Sequence, residues 1–285
     1  MADNEEIKNF RPAPVQNLFL CMSKAAQKIA EIEPNEEDLS LKVGGDAKVP
    51  IKVTYPDGVA ELTIFDMGVH SAIVSLYHAG NQIITIAMIC RTLCMSLRVR
   101  CHSENLQSAV RAAIDKMRSI YIYIDAQSQQ KKYGLPQRKF YDFMLDLTET
   151  IAQADNGRIC ECYEFRSEPV IYSYSRALNH FVVVPIAEVD TSARINSTVT
   201  AIVVRYALLR RVVVIKRTRK NYRVALESLY KECSPICESM EKLRSLTRSI
   251  LSCWEESGFI EGYEIYKEYR TIKGFVVSLR EQPKK

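Results

Sequence analysis

An α+β fold of two like units in tandem is what this 285-residue chain predicts, and three observations predict it. Ser239–Leu279 reads as a long amphipathic helix that stops at Gly258, then two short β-rich runs joined through Glu268–Thr271. A weaker copy of that pattern lies earlier, with a helix over Ser103–Arg118 and an alternating strand over Ile120–Asp125. Between them Tyr141–Pro185 is rich in strand-forming residues. Helix followed by a two-stranded wing is how a winged helix ends. The expected architecture is therefore two winged-helix domains with an intervening β-rich segment, over 49–185 and 186–285, after an N-terminal arm at 1–48.

In the arm, Val15, Leu18, Phe19, Met22, Ala25, Ala26 and Ile29 have helical spacing over Val15–Ile32, and Pro34 and Gly44-Gly45 mark a loop. In the first unit Ile51, Val53, Val59, Leu62 and Ile64 predict two short strands turning at Pro56-Asp57-Gly58. Asp66 is expected to cap a helix through about Ala79, with Val69, Ile73, Val74 and Tyr77 on one face and Gly80-Asn81 as its stop. Thr85–Leu93 is a second helix. Ser103 opens the third, whose inward stripe is Leu106, Val110, Ala113, Ile114 and Met117.

The β-rich segment divides into Tyr141–Leu147, Ile159–Phe165, Pro169–Tyr174 and Phe181–Val184, with Asp155-Asn156-Gly157 as a hairpin turn. In the second unit a helix is expected within Ile195–Val214, another over Tyr222–Lys231 and a third over Ser239–Ser257 with Leu243, Leu246, Ile250, Leu251 and Trp254 inward. The β-branched run Val212–Ile215 fits a helix end or a strand equally well.

Composition excludes several classes. Apolar content of 47% and charged content of 26% are those of a soluble globular protein. The longest strongly apolar run, Ile83–Cys90, is far short of the ~20 residues needed to cross a bilayer. The acidic start MADNEEIKNF is unlike a secretory signal, so a cytoplasmic location and no membrane partner are expected. Nine cysteines lack the paired C-x2-C spacing of a zinc site. Cys94, Cys101 and His102 are close in sequence, yet buried thiols are the plainer reading, and no metal or cofactor is expected. There is no Gly-x4-Gly-Lys-Ser/Thr phosphate loop, no His-x-His pair and no serine or cysteine nucleophile signature, which predicts a protein that is not an enzyme.

Charge is distributed unevenly. Residues 1–48 carry nine acids against six bases, whereas Arg205–Arg223 carries eight bases and no acid. A one-sign basic block commonly meets a phosphate backbone. A helix in the major groove needs side chains that reach base edges, Arg to guanine and Asn or Gln to adenine. The third helix of the first unit offers Asn105, Gln107, Ser108 and Arg111; that of the second offers Lys242, Arg244, Ser245, Arg248 and Ser249. Arg210, Arg211, Lys216, Arg217, Arg219, Lys220 and Arg223 suit phosphate contacts, which position without reading sequence. Any solvated helix face is polar, so each of these residues taken alone is weak support. Tyr263, Tyr266 and Tyr269 of the second wing are expected to pack rather than to stack on a ligand.

The runs FDMGVHSAIVSLYHAGNQIITIAMICRTL (Phe65–Leu93) and SAVRAAIDKMRSIYIYIDA (Ser108–Ala126) resemble the N-terminal winged helix of replication-initiator-like proteins of bacterial plasmids, phages and integrative elements. Pro169–Pro185, Arg205–Lys216 and Leu246–Glu268 are similar to the second half of that group, so the resemblance covers roughly residues 50–280. It is a likeness of pattern and order and includes no catalytic motif. It implies tandem winged helices on double-stranded DNA at origin repeats, a non-catalytic initiator, homodimerisation, and host replication proteins as partners. The chain departs from the pattern at Cys90–Cys101, a connection without acid or amide. A transcriptional regulator, or a structural or assembly protein using winged helices for protein contacts, stand as alternatives.

Overall fold

The computed structural model describes residues 8–10, 19–29, 39–42, 48–96, 103–135, 139–154, 157, 159–192, 194–220, 222–234 and 236–279. The fold is α+β, helices interleaved with small, mostly antiparallel sheets. In chain order the elements are β1 (Lys8–Phe10), β2 (Phe19–Ser23), α1 (Lys24–Ile29), β3 (Leu39–Lys42), β4 (Lys48–Thr54), α2 (Ile64–His78), β5 (Ile83–Ile84), α3 (Ile86–Leu93), α4 (Glu104–Ser119), β6 (Tyr121–Asp125), α5 (Gln127–Tyr133) and β7 (Lys139–Phe143). There follow β8 (Leu147–Ala154), β9 (Ile159–Phe165), α6 (Val170–Ala177), β10 (Phe181–Pro185), α7 (Ile186–Val189), α8 (Val199–Thr218), β11 (Arg223–Ala225), α9 (Leu226–Cys233), α10 (Met240–Glu256), β12 (Gly262–Glu268) and β13 (Thr271–Ser278).

The same order of helix, short strand, two helices and hairpin occurs twice. In the second half it is α8, β11, α9, α10 and β12–β13, with β11 pairing antiparallel to β13 in register Arg223 to Val276. In the first half it is α2, β5, α3, α4 and β8–β9, with β5 pairing antiparallel to β9 in register Ile83 to Glu164. The halves differ by an insertion. Between α4 and its hairpin, β6, α5 and β7 leave to join β3 and β4 in a sheet of order β3-β4-β6-β7. The expectation that Ile120–Asp125 begins the first wing is thus corrected: β6 pairs with β4 and β7, and the hairpin is β8–β9.

Helix starts were the legible features. Ser103 and Ser239 cap α4 and α10 by accepting from the backbone N–H of Leu106 and Lys242, and Thr85 caps α3 in the same way. In α2 the cap is Thr63 instead of Asp66. Thr63 Oγ1 accepts from Asp66 N–H (3.2 Å) and Asp66 Oδ2 from Thr63 N–H (2.7 Å), a reciprocal box that places Asp66 at the third helical position. Ile64 therefore opens a helix, and β4 finds its partners in β3 and β6 instead of in a hairpin at Pro56-Asp57-Gly58.

Other short apolar runs read with the wrong period. Pro169–Tyr174, expected as a strand, is the start of α6, where Pro169 presets the backbone and Val170, Ile171 and Tyr174 fall on one buried face. Tyr222–Lys231 opens with β11 before α9, because β13 offers a pairing edge. Tyr141–Leu147 divides between β7 and β8 of different sheets. Within Val15–Ile32, Phe19–Ser23 pairs antiparallel with β10 and, among the described residues, only Lys24–Ile29 is helical; residues 15–18 and 30–32 lie outside the described residues. Val212–Ile215 is helical, since α8 runs to Thr218 and buries Val212, Val213 and Ile215.

One continuous apolar core runs from the first half into the second through α2 and α8. Helix α8 is buried on nearly every face from Ala201 to Leu209, the signature of a central helix. Gly68 of α2 permits the approach: a Cβ there would lie 3.1 Å from Leu93 Cδ1 and 3.7 Å from the Tyr206 ring. Beside it the hydroxyls of Ser71 and Tyr206 hydrogen-bond at 2.7 Å.

Candidate nucleic-acid interface

The third helix of the second half presents the best-formed surface. Leu243, Thr247, Ile250, Leu251 and Trp254 bury one face of α10, and Trp254 Nε1 donates to Val189 O at 3.3 Å. The opposite face is left to Lys242, Arg244, Ser245, Arg248 and Ser249, all exposed. Lys242 lies 3.8 Å from Glu238 in a solvent-exposed pair of little energetic weight. Arg244 and Arg248, one turn apart, stand unpaired among the described residues. In front of the capped end of α10 runs a groove of about 590 Å³, whose other wall is Arg194, Asn196 and Thr198 on the segment leading into α8.

The adjoining hairpin adds exposed cations at Lys267, Arg270 and Lys273. Its turn uses Tyr269 and Arg270 at φ 46° and 67°, a left-handed two-residue connection unusual without glycine or asparagine. The three tyrosines have separate fates. Tyr263 packs on Phe275 and hydrogen-bonds Ser252 Oγ at 2.8 Å; Tyr266 lies under the Arg223 guanidinium at 4.5 Å; Tyr269 is fully exposed. The expected packing role holds for the first two and not for Tyr269.

The basic run from Arg205 to Arg223 does not form one surface. Arg205 is inside α8's buried turn, where Nη1 donates to Thr191 Oγ1 at 2.6 Å and burial lowers its pKa. Arg210 and Arg211 both grip Glu232 at 2.7 Å, and Arg211 also donates to Ser228 O. Lys216 donates to Phe259 O at 3.0 Å with its ammonium 3.9 Å from the Phe259 ring centre; burial lowers its pKa too. Arg217, Arg219, Lys220 and Arg223 remain exposed at the end of α8 and the start of β11. The run thus divides into residues that hold the fold and residues that face solvent.

In the first half the equivalent surface has a different charge. Asn105 and Ser108 of α4 are exposed, whereas Gln107 and Arg111 are half-buried. Arg111 lies 3.6 Å from Glu161, and Arg118 lies 2.5 Å from Glu149 and 3.6 Å from Asp115. Those acids come from the β8–β9 hairpin and the outer face of α4, and they line a groove of about 360 Å³. Sequence reasoning missed this because the wrong strand was read as the wing. It also passed over Arg194, Asn196 and the hairpin cations, whose only signal was their place in loops and at alternate strand positions.

Among the described residues, no three His, Cys, Asp or Glu side chains gather as metal ligands. Cys94 is buried, while Cys101 and His102 lie outside the described residues. No helix among the described residues is long and apolar enough to cross a membrane.

No family model matches the chain, and no curated protein matches it. Among solved structures it is similar to the crystal structure of selenomethionine derivatives of domains 2 and 3 of RctB. That match has a TM-score of 0.45 and 12% identity and covers 90% of this chain and 96% of that one. A second crystal structure of RctB domains 2-3 matches with TM-score 0.45 and 11% identity over 88% and 96% of the two chains. Likeness at this level carries no argument about function, which rests on the residues described above.

Proposed function

We propose that the chain binds double-stranded DNA sequence-specifically, that its two like halves are winged helices in tandem, and that it acts for a mobile element as a non-catalytic replication initiator on origin repeats. The observation that carries the DNA reading is the outward face of α10, where Lys242, Arg244, Ser245 and Arg248 stand exposed on a capped helix beside the hairpin cations Lys267, Arg270 and Lys273, which alternate with Glu264 and Glu268. On this reading the N-terminal half of α10 enters the major groove and Arg244 and Arg248 reach base edges. The hairpin and the exposed end of α8 hold phosphates on either side. The initiator role rests on the family resemblance of residues 50–280. Binding would strain the duplex, and host helicase and polymerase would supply the chemistry.

Two classes of variant separate the roles. Arg244→Ala or Arg248→Ala should lower affinity for a preferred duplex by roughly 5- to 100-fold and relax sequence preference. The triple variant Arg217→Ala, Arg219→Ala, Lys220→Ala should weaken binding to every sequence and flatten the salt slope by about 2–3. Fluorescence anisotropy against random and selected duplexes over a salt series reads both. A chain that fails to retain any duplex at low salt ends the DNA reading. Transformation by an origin plasmid with and without this gene tests initiation.

A further inference from the structure

The sheet β3-β4-β6-β7 has a face that neither the core nor α10 uses. Strand alternation turns Ile51, Val53, Ile122, Ile124 and Phe140 inward, where they are buried. The alternate side chains point out. On that face Tyr121 is registered with Phe143 and Tyr123 with Tyr141, while Lys52 of β4 flanks Tyr123 from the other side. Tyr141 is 61% exposed and Phe143 44%, and Tyr121 and Tyr123 are half-buried. The Tyr121 and Phe143 rings meet edge to face at 5.8 Å, and the Lys139 ammonium sits 5.8 Å from the Tyr123 ring centre. Asp125, registered with Lys139, is the acid on this face among the described residues.

Cross-strand packing accounts for the Tyr121–Phe143 pair. It does not account for an aromatic ladder two strands wide that is left to solvent, since soluble proteins keep exposed apolar patches small. We propose that this face binds single-stranded nucleic acid, with bases stacking on the exposed Tyr141 and Phe143 rings, Tyr121 and Tyr123 supporting them from the neighbouring strand, and Lys52 and Lys139 meeting phosphates. Rings two residues apart along a strand are separated by ~6.8 Å, which leaves room for an unstacked base over each. A duplex does not fit the chemistry: its bases are already stacked on one another and offer only their edges. Stacking takes any base, so this surface is sequence-tolerant, and flanking cations supply the complementary charge.

The site stands apart from the duplex-reading surface, and the test keeps the two distinct. The full chain is titrated into a fluorescein-labelled oligothymidylate of about 15 nucleotides and, separately, into duplex. Tyr141→Ala and Phe143→Ala should each weaken oligothymidylate binding by roughly 5- to 100-fold. Tyr141→Phe, which keeps the ring, should bind like the parent, and all three should keep the parent's duplex affinity and thermal midpoint. Absence of oligothymidylate binding by the parent overturns the proposal, as does equal binding by parent and alanine variants. A parent that sediments as a dimer and an alanine variant that sediments as a monomer, with oligothymidylate affinity unchanged, would assign the face to contact between two copies of the chain.

Discussion

Gly274 shows how one residue can set a fold locally. It sits where β13 passes β11, and a Cβ there would lie 2.2 Å from the Val224 carbonyl oxygen, so only glycine lets the two backbones pair. Gly274→Ala should force the strands apart and cost about 1–3 kcal/mol, read as a lower denaturant midpoint. His70 is a second such site. It is buried in α2 with Nε2 unpartnered among the described residues, and burial holds its pKa down to about 4. The unfolded imidazole titrates near 6.5, so below that pH the unfolded chain gains a proton that the fold refuses. Stability is full above about 6.5 and declines toward 4, by about 3 kcal/mol from this group alone. Urea titrations at pH 7.5 and 4.5 should show the loss, and His70→Met should reduce it. Neither role was legible beforehand. A glycine within a β-branched run and a histidine on a helix announce their types but not their neighbours, whereas the cap at Ser103 needed only four consecutive residues to be read.

At the scale of elements, legibility followed the locality of the cause. Helices α3, α4 and α10 carry their own N-cap side chains and their own apolar stripes, and they form where the pattern places them. Strands β2, β11 and β6 depend on distant partners, β10, β13 and β4, and each was misread or misassigned. Helix α8 is the instructive mixture. Its eight-base neighbourhood looked like one phosphate-facing surface, yet burial of the helix on almost every side turns Arg205 inward and commits Arg210 and Arg211 to Glu232. The pair is partly exposed, so its loss is discounted from that of a fully buried network: Glu232→Gln should cost about 1–2 kcal/mol by leaving two guanidiniums poorly neutralised. Arg210→Ala should lower the thermal midpoint while leaving duplex affinity within about twofold, because a residue held by Glu232 contributes little to phosphate binding. A large loss of affinity without loss of stability would return Arg210 to the proposed DNA surface.

Over the whole molecule, a repeated order of elements has diverged in charge and in insertion. The second half keeps exposed arginines, unpaired among the described residues, on α10 beside the hairpin cations Lys267, Arg270 and Lys273; the first has Glu149 and Glu161 beside Arg111 and Arg118, and β6, α5 and β7 inserted before its hairpin. The repetition was visible in the sequence as a faint echo; its true register was not, because the insertion supplied a strand that imitated a wing. The Gly68–Tyr206 contact carries a last consequence, for the geometry of a target site. Packing of α2 against α8 joins the two halves at that point, and on the proposed DNA reading α4 and α10 would then keep one angular phase on a duplex that both engage. On a site that engages both, inserting about 5 base pairs between the half-sites rotates one to the far side of the duplex and should weaken binding; about 10 restores the facing. Affinity that oscillates with spacer length would be the fingerprint of that lock, and affinity indifferent to it would mean that α10 binds alone.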